Sequence, residues 1–277
     1  MIGNNSDEVT PEELADLLVP KDVRISPSGK HVVYSCAPIA KTGEHAVSSL
    51  WIAEIGKEHS ARQFTSGSFN DVSPQWCPEP VDKDLIAFVS DRAKAGESSA
   101  IYTISLHGGE ACPVTKLDNQ KPIAGFKWSP DGQSIAFISP DEKTTEQKRR
   151  DEETGEAKVY GIDWEYNRLR YLHVATKEVI TLKGGNAHVT DFAWKEDSSE
   201  LAYITQEDPE KDSAGYHGVK FERVEVFTKH GHDVCQQRFP GPARDLVWWE
   251  NALYFLAGYS PDKSATSSVM YKMGMSS

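Results

Sequence analysis

Short runs of alternating apolar and polar residues dominate the chain, and one such run recurs. Its clearest copy is Phe126-Lys127-Trp128-Ser129-Pro130-Asp131-Gly132-Gln133-Ser134-Ile135-Ala136-Phe137-Ile138. Earlier copies are Val23-Arg24-Ile25-Ser26-Pro27-Ser28-Gly29 with Val32-Val33-Tyr34, and Gln75-Trp76-Cys77-Pro78 with Leu85-Ile86-Ala87-Phe88. Later ones are Phe192-Ala193-Trp194-Lys195 with Leu201-Ala202-Tyr203-Ile204, and a degraded Leu246-Val247-Trp248-Trp249 with Leu253-Tyr254-Phe255. Each predicts a strand ending at an aromatic or β-branched residue, a tight turn, and an antiparallel return strand. In Ser-Pro-Asp-Gly the proline presets φ and the glycine takes the position that needs positive φ.

A third strand follows each of the first four hairpins, at Leu50–Ile55, Ala100–Leu106, Leu169–Val174 and Val224–Phe227. A fourth, edge strand is expected at Ala61–Thr65, Cys112–Thr115 and Glu178–Leu182. Four antiparallel strands per unit make a propeller blade. Taking Ile25, Trp76, Trp128, Trp194 and Trp248 as equivalent gives spacings of 51, 52, 66 and 54 residues. A near-constant period of this kind favours a propeller over a sandwich of similar hairpins. The long interval holds the charged run from Asp141 to Lys158, expected to be a solvated loop inserted into the third blade.

The fold class is therefore an all-β propeller of four-stranded antiparallel blades, expected to be incomplete, with about four blades plus part of a fifth. Residues 1–20 form an N-terminal segment, and blades are expected at about 21–67, 68–117, 122–184, 188–241 and 243–277. Thr10-Pro11-Glu12-Glu13 is a capping box with proline at the first helical position. It predicts a short helix through about Leu18 whose Leu14, Leu17 and Leu18 pack against the fold.

Composition narrows the function. A formal net charge of −12 argues against a phosphate-binding surface, so no nucleic-acid partner is expected. No basic and apolar leader and no run of membrane-spanning length is present, so a cytoplasmic protein with no membrane association is expected. Cys36, Cys77, Cys112 and Cys235 are far apart and read as reduced, mostly buried thiols rather than zinc ligands.

No catalytic centre emerges. Gly96-Glu97-Ser98-Ser99-Ala100 and Gly258-Tyr259-Ser260-Pro261-Asp262 approach a nucleophile elbow, but Ser98 precedes a strand and Pro261 turns the chain after Ser260. His230-Gly231-His232-Asp233 lacks further convergent ligands and is explained by a two-residue hairpin turn, so neither metal nor cofactor is expected. Gly184-Gly185-Asn186 and Gly108-Gly109 lack the lysine and strand-to-helix setting of a phosphate loop. The seven tryptophans read mostly as repeat-phase core residues.

The segment Tyr160-Gly161-Ile162-Asp163-Trp164-Glu165-Tyr166-Asn167-Arg168-Leu169-Arg170 concentrates aromatics, acids and arginines beside the charged insertion. It reads either as a long loop with its own aromatic cluster or as a ligand-facing lip. In the second reading Glu165 or Asp163 holds an amine and an arginine holds a carboxylate. The candidate residues are Asp163, Trp164, Glu165, Arg168 and Arg170.

The Ser-Pro-Asp-Gly hairpins, the Thr10-Pro11-Glu12-Glu13-Leu14 opening and Trp164–Arg170 resemble the N-terminal propeller of prolyl oligopeptidase-family serine peptidases. The nearest flavour is the acylaminoacyl-peptidase or fungal dipeptidyl-peptidase V-like branch. The resemblance implies a propeller that gates access of short peptides to a C-terminal α/β-hydrolase domain carrying Ser, Asp and His. No position here matches those catalytic motifs, so the hydrolase domain is expected to be absent and the chain inactive alone. The peptide substrate would be met through that missing domain, and open propeller edges would allow self-association. The alternative is a stand-alone interaction scaffold. A propeller enzyme with a central site would need convergent acids or metal ligands at equivalent strand starts, and the five copies show none.

Overall fold

The computed structural model describes residues 10–40, 43–79, 81–116, 121–155, 164–210, 212–234, 238–259 and 267–275. These fall into two compact units, residues 1–77 with 83–118, and residues 78–82 with 119–277. The fold is an all-β propeller of antiparallel blades. Five sheets are present, four of them four-stranded and the fifth three-stranded among the described residues.

In the first unit, helix α1 (Pro11–Ala15) precedes blade 1, formed by β1 (Leu18–Ile25), β2 (His31–Pro38), β3 (Ser49–Glu54) and β4 (Arg62–Gln63). Blade 2 is β5 (Val72–Trp76), β6 (Leu85–Ser90), β7 (Ala100–Ser105) and β8 (Cys112–Pro113). The capping box forms as expected, with the Glu13 backbone N–H donating to Thr10 Oγ1 and the Thr10 N–H donating to the Glu13 carboxylate. The helix is shorter than expected, however. Leu18 already pairs with Pro38 in the β1–β2 ladder, and that ladder fixes extended backbone where the helix was expected to continue. Leu14, Leu17 and Leu18 consequently stay about half exposed instead of packing inward.

The second unit holds blade 3, from β9 (Gly125–Trp128), β10 (Ser134–Pro140), β11 (Asn167–His173) and β12 (Glu178–Lys183), with helix α2 (Thr145–Thr154) inserted between β10 and β11. Blade 4 comprises β13 (His188–Trp194), β14 (Glu200–Gln206), β15 (Lys220–Glu225) and β16 (Gly231–Asp233), with α3 (Ser213–His217) between β14 and β15. Blade 5 is β17 (Ala243–Trp249), β18 (Ala252–Gly258) and β19 (Ser268–Gly274). It holds three of a blade's four strands, so the expectation of about four blades plus part of a fifth becomes five.

The recurring turn forms as its residues dictate. Gly29 and Gly132 both sit at φ +67°, and Ser198 takes the same place in blade 4 at φ +62°. Their N–H groups donate to the carbonyls of Ser26, Ser129 and Lys195 at 2.8–3.0 Å. A second recurrence was not visible in the sequence. The first strands of blades 1, 2 and 5 carry a β-bulge with Asp22, Ser73 or Asp245 at φ between +52° and +56°, three residues before the Ile25, Trp76 or Trp248 position. Blade 4 bulges between Val189 and Asp191.

Successive sheets bury one another through alternating residues. In the first unit Val33, Leu50 and Ile52 of blade 1 form one core cluster with Trp76, Ile86, Phe88 and Ile104 of blade 2. In the second, Ala136, Ile138, Leu169 and Tyr171 of blade 3 meet Phe192, Trp194, Leu201, Tyr203 and Val224 of blade 4. Ala193, Ala202, Ile204 and Phe221 of blade 4 then meet Leu246, Trp248, Leu253 and Phe255 of blade 5. Each large side chain buried this way is worth about 1.5–3 kcal/mol. The tryptophans also stitch the sheets together. Trp76 Nε1 donates to the Arg24 carbonyl at 3.0 Å and Trp194 Nε1 to the Lys127 carbonyl at 3.1 Å.

A polar latch adds to the apolar stack in the second unit. Asp191 accepts the Leu246 backbone N–H at 2.7 Å through Oδ2 and pairs with Lys127 Nζ at 3.2 Å through Oδ1. Lys127 Nζ also donates to the Phe192 carbonyl, so one lysine and one aspartate join blades 3, 4 and 5. Asp191→Ala leaves the Leu246 N–H and the ammonium short of an acceptor, and should lower stability by about 1–3 kcal/mol. Urea denaturation followed by tryptophan fluorescence measures this. A loss below about 0.5 kcal/mol, within the range of an ordinary surface substitution, would mean the latch contributes little.

Candidate functional site

The excursion from Asp141 to Tyr166 leaves blade 3 and returns to it without disturbing the hairpin, because Pro140 and Asn167 face each other as the last rung of the β10–β11 ladder. The charged run was expected to be a loop, but much of it is helix. Thr144 and Gln147 form a reciprocal capping box, and Gly155 closes the helix at φ +70°. Arg149 pairs with Glu146 and with Glu153, which is the three- and four-residue spacing that supports a solvated helix. The Thr144-Thr145-Glu146-Gln147 run was the signal for it.

Lys143 Nζ to Asp151 at 3.0 Å ties α2 back to the exit of β10. A cleft of about 190 Å³ opens among α2, the end of β10 and the start of β11, with Trp164, Glu165, Tyr166 and Arg168 in its lining. Three of the expected residues thus share one cleft with Tyr166. Arg170 stands beside it on β11, and Asp163 lies outside the described residues.

Each charge in this group already has a partner. Lys121 Nζ lies 2.8 Å from Glu165 Oε2, with the lysine side chain 10% exposed and the glutamate 37%. Arg168 Nε donates to Asp141 Oδ2 at 2.9 Å, and Arg170 Nη2 to Asp141 Oδ1 at 2.6 Å. Arg168 also donates to the Gly185 carbonyl and lies over the Tyr166 ring at 5.5 Å. Arg170 is fixed further by Ser139 Oγ at 3.1 Å and Thr181 Oγ1 at 2.9 Å. Burial acts to raise the Asp141 carboxyl, but the hydrogen bonds and charges of both arginines outweigh it and hold it below the usual carboxylate range. A ligand amine must therefore compete with Lys121 for Glu165, and a ligand carboxylate with Asp141 for the arginines.

His188 braces this arrangement from blade 4. Its Nδ1 accepts the backbone N–H of Asn167 at 3.1 Å, immediately before Arg168. Burial holds the ring below its ordinary pKa, the Arg168 charge pushes the same way, and Asp208 opposes them.

The other candidates do not assemble a centre. Ser98 is buried, and its hydroxyl donates to the Asp91 and Lys94 carbonyls at 3.2 Å. Ser260 lies outside the described residues. Gly231 does not make the turn expected of it but opens strand β16, and Lys229 at φ +58° makes the turn instead. No cluster of three or more metal-ligating side chains occurs among the described residues. Trp249 departs from the core expectation at 60% exposed. No helix among the described residues is long and apolar enough to cross a membrane.

No family model matches the chain. Peptidase YuxL of Bacillus subtilis (strain 168), itself described as uncharacterized, is 24% identical over 227 residues. The match covers 76% of this chain and 33% of YuxL, so the chain spans about a third of the length of that curated relative. The acylaminoacyl peptidase of Pyrococcus horikoshii superposes with a TM-score of 0.64 at 10% identity, over 93% of this chain and 38% of its own. The likeness in structure shows the β-propeller fold. The β-propeller domain of the Trilobed protease from Pyrococcus furiosus, described as having an open velcro topology, gives a TM-score of 0.56 at 12% identity, over 91% of this chain and 68% of that one.

The half-buried imidazole gives this propeller a stability that depends on pH. The unfolded chain takes up a proton at His188 below about pH 6.5, whereas the folded one resists it. The unfolded state thus binds more protons, and stability present above pH 6.5 is lost as pH falls. The urea midpoint should drop between pH 7.5 and pH 5, and His188→Gln should shrink that drop. An equal drop in the variant would place its cause elsewhere.

Proposed function

We propose that this propeller is the non-catalytic, substrate-gating part of a serine peptidase of the prolyl oligopeptidase family. The complete enzyme acts on short peptides, in the dipeptidyl- or acylaminoacyl-peptidase manner, with its Ser-Asp-His centre on a hydrolase domain beyond this chain. The observation that carries this reading is the extent of the match to YuxL, which takes in most of this chain but a third of the peptidase. The Trp164 cleft supports it as the gating element, since amine- and carboxylate-binding groups are held within one lip on the third blade.

In this reading Glu165 offers its carboxylate to a peptide amine in exchange for Lys121. Arg168 and Arg170, preorganised on Asp141, present positive charge to the other end of a short substrate. Trp164 completes the lip, Asp163 is the further candidate for holding an amine, and the protein works in the cytoplasm.

The test treats a native cell extract with a fluorophosphonate probe, captures the protein with an antibody raised against this chain, and reads mass and labelling together. A labelled species much heavier than 30.8 kDa is expected. An unlabelled species at 30.8 kDa would sink the peptidase assignment and leave an interaction scaffold.

A further inference from the structure

The turn that would have accounted for His230-Gly231-His232 lies earlier in the chain, so the motif needs another explanation. Lys229 makes that turn at φ +58°, its N–H donating to the Glu225 carbonyl at 2.9 Å. Thr228 Oγ1 accepts the His230 N–H at 3.2 Å and donates to the Glu225 carboxylate at 2.6 Å. The Glu225 N–H in turn donates to the His230 carbonyl at 3.0 Å. Beyond it, Gly231 and His232 pair with Val224 and Arg223 in the β15–β16 ladder. Both histidines therefore sit on backbone held by hydrogen bonds, at the edge strand of blade 4 or directly before it.

Side chains two positions apart on extended backbone share a face, and here the two rings meet. The His230 and His232 ring centroids are 4.5 Å apart with their planes at 69°, and both residues are exposed. An ion bound by one nitrogen of each ring at about 2.0–2.1 Å, with a right to tetrahedral angle between the bonds, puts ring centres roughly 4.5–5 Å apart. The observed separation falls within that range. Neutral imidazole suits copper, nickel and zinc, and for a given donor set the affinity peaks at Cu2+. The charge nearby is tolerant of a cation. Arg223, across from His232, lies 3.8 Å from Glu200, and the Glu225 carboxylate is adjacent to the turn.

We propose that His230 and His232 chelate one divalent transition-metal ion, Cu2+ most tightly, at the edge of blade 4. Both rings are open to solvent, so water completes the coordination and the ion exchanges freely. The site takes no part in peptide chemistry. It rests neither on the peptidase reading nor on the Trp164 lip.

The test titrates the 277-residue chain with CuCl2 near neutral pH by calorimetry, with glycine as a competitor, and records the electron paramagnetic resonance spectrum of the bound ion. One tight equivalent is expected, with a spectrum showing nitrogen donors, and Ni2+ and Zn2+ should occupy the same site more weakly. Holding the second ligand on the same strand makes its binding intramolecular, so His230→Ala and His232→Ala should each weaken that equivalent by about a hundredfold or more. The double variant should be little worse than either single one. His107→Ala removes another exposed imidazole, one that pairs with Asp84 at 3.3 Å, and should leave the tight equivalent intact. Circular dichroism verifies that the variants fold. A wild type with no tight equivalent would overturn the proposal. So would single variants that each keep ordinary affinity at lower stoichiometry, the mark of two independent imidazoles, or loss of the equivalent in His107→Ala.

Discussion

A sheet with two apolar faces cannot be left alone in water, and most of this structure follows from that constraint. The strand residues alternate, but in most blades both sides of the alternation are apolar. Leu201 and Tyr203 serve the contact with blade 3, while Ala202 and Ile204 serve the contact with blade 5. Burial of such surface is the dominant favourable term in folding, so each blade of a unit is stable chiefly through its neighbour. The indole that ends the first strand of blades 2 and 4 suits this role, because its ring fills the inter-sheet space while its N–H satisfies a carbonyl of the adjacent blade.

Residues that break the alternation have a geometric reason. A strand with a regular pleat would place every second side chain on one face throughout. The bulges at Asp22, Ser73 and Asp245 insert one residue into the first strand and so reset which side chains face the neighbour. Most of these residues carry a short polar side chain able to bond its own backbone, which eases the left-handed conformation. Asp191 stands at the same offset in blade 4 with a different task. Its carboxylate reaches the Leu246 N–H and so links two blades.

Much of the stack was legible in the sequence because it is periodic. The aromatic-turn-strand phrase fixed the hairpins, and Gly29 and Gly132 adopt the backbone their positions require. Features with no repeat behind them were harder to read. Helix α2 was hidden by its own composition, since a run such as Lys148-Arg149-Arg150-Asp151-Glu152-Glu153 reads equally as a solvated loop. Only the Thr144–Gln147 cap and the Glu146–Arg149–Glu153 pairing separate the two. α3 carries no such pattern, and its Asp212 makes no side-chain cap bond. At the lip, sequence identified residues of the right chemistry but not their partners. Lys121 is 44 positions from Glu165 and Asp141 is 27 from Arg168, separations that only the folded hairpin closes.

That closure bears on how a lip of this kind can change without endangering the fold. The excursion begins and ends at one ladder pair, Pro140 with Asn167, and its charges are neutralised within a small group around it. Since the pairs are partly exposed, each contributes little to stability, and replacing one costs the fold much less than breaking an inter-blade contact would. A paired charge is also a poised one. Glu165 sits half-covered with Lys121 beside it, so an incoming amine exchanges one cation for another and leaves no bare carboxylate behind. Selectivity in such a site then rests on how well a ligand reproduces the bonds it displaces. The exchange should be more demanding at Asp141, which two arginines hold together, than at Glu165, which one lysine holds.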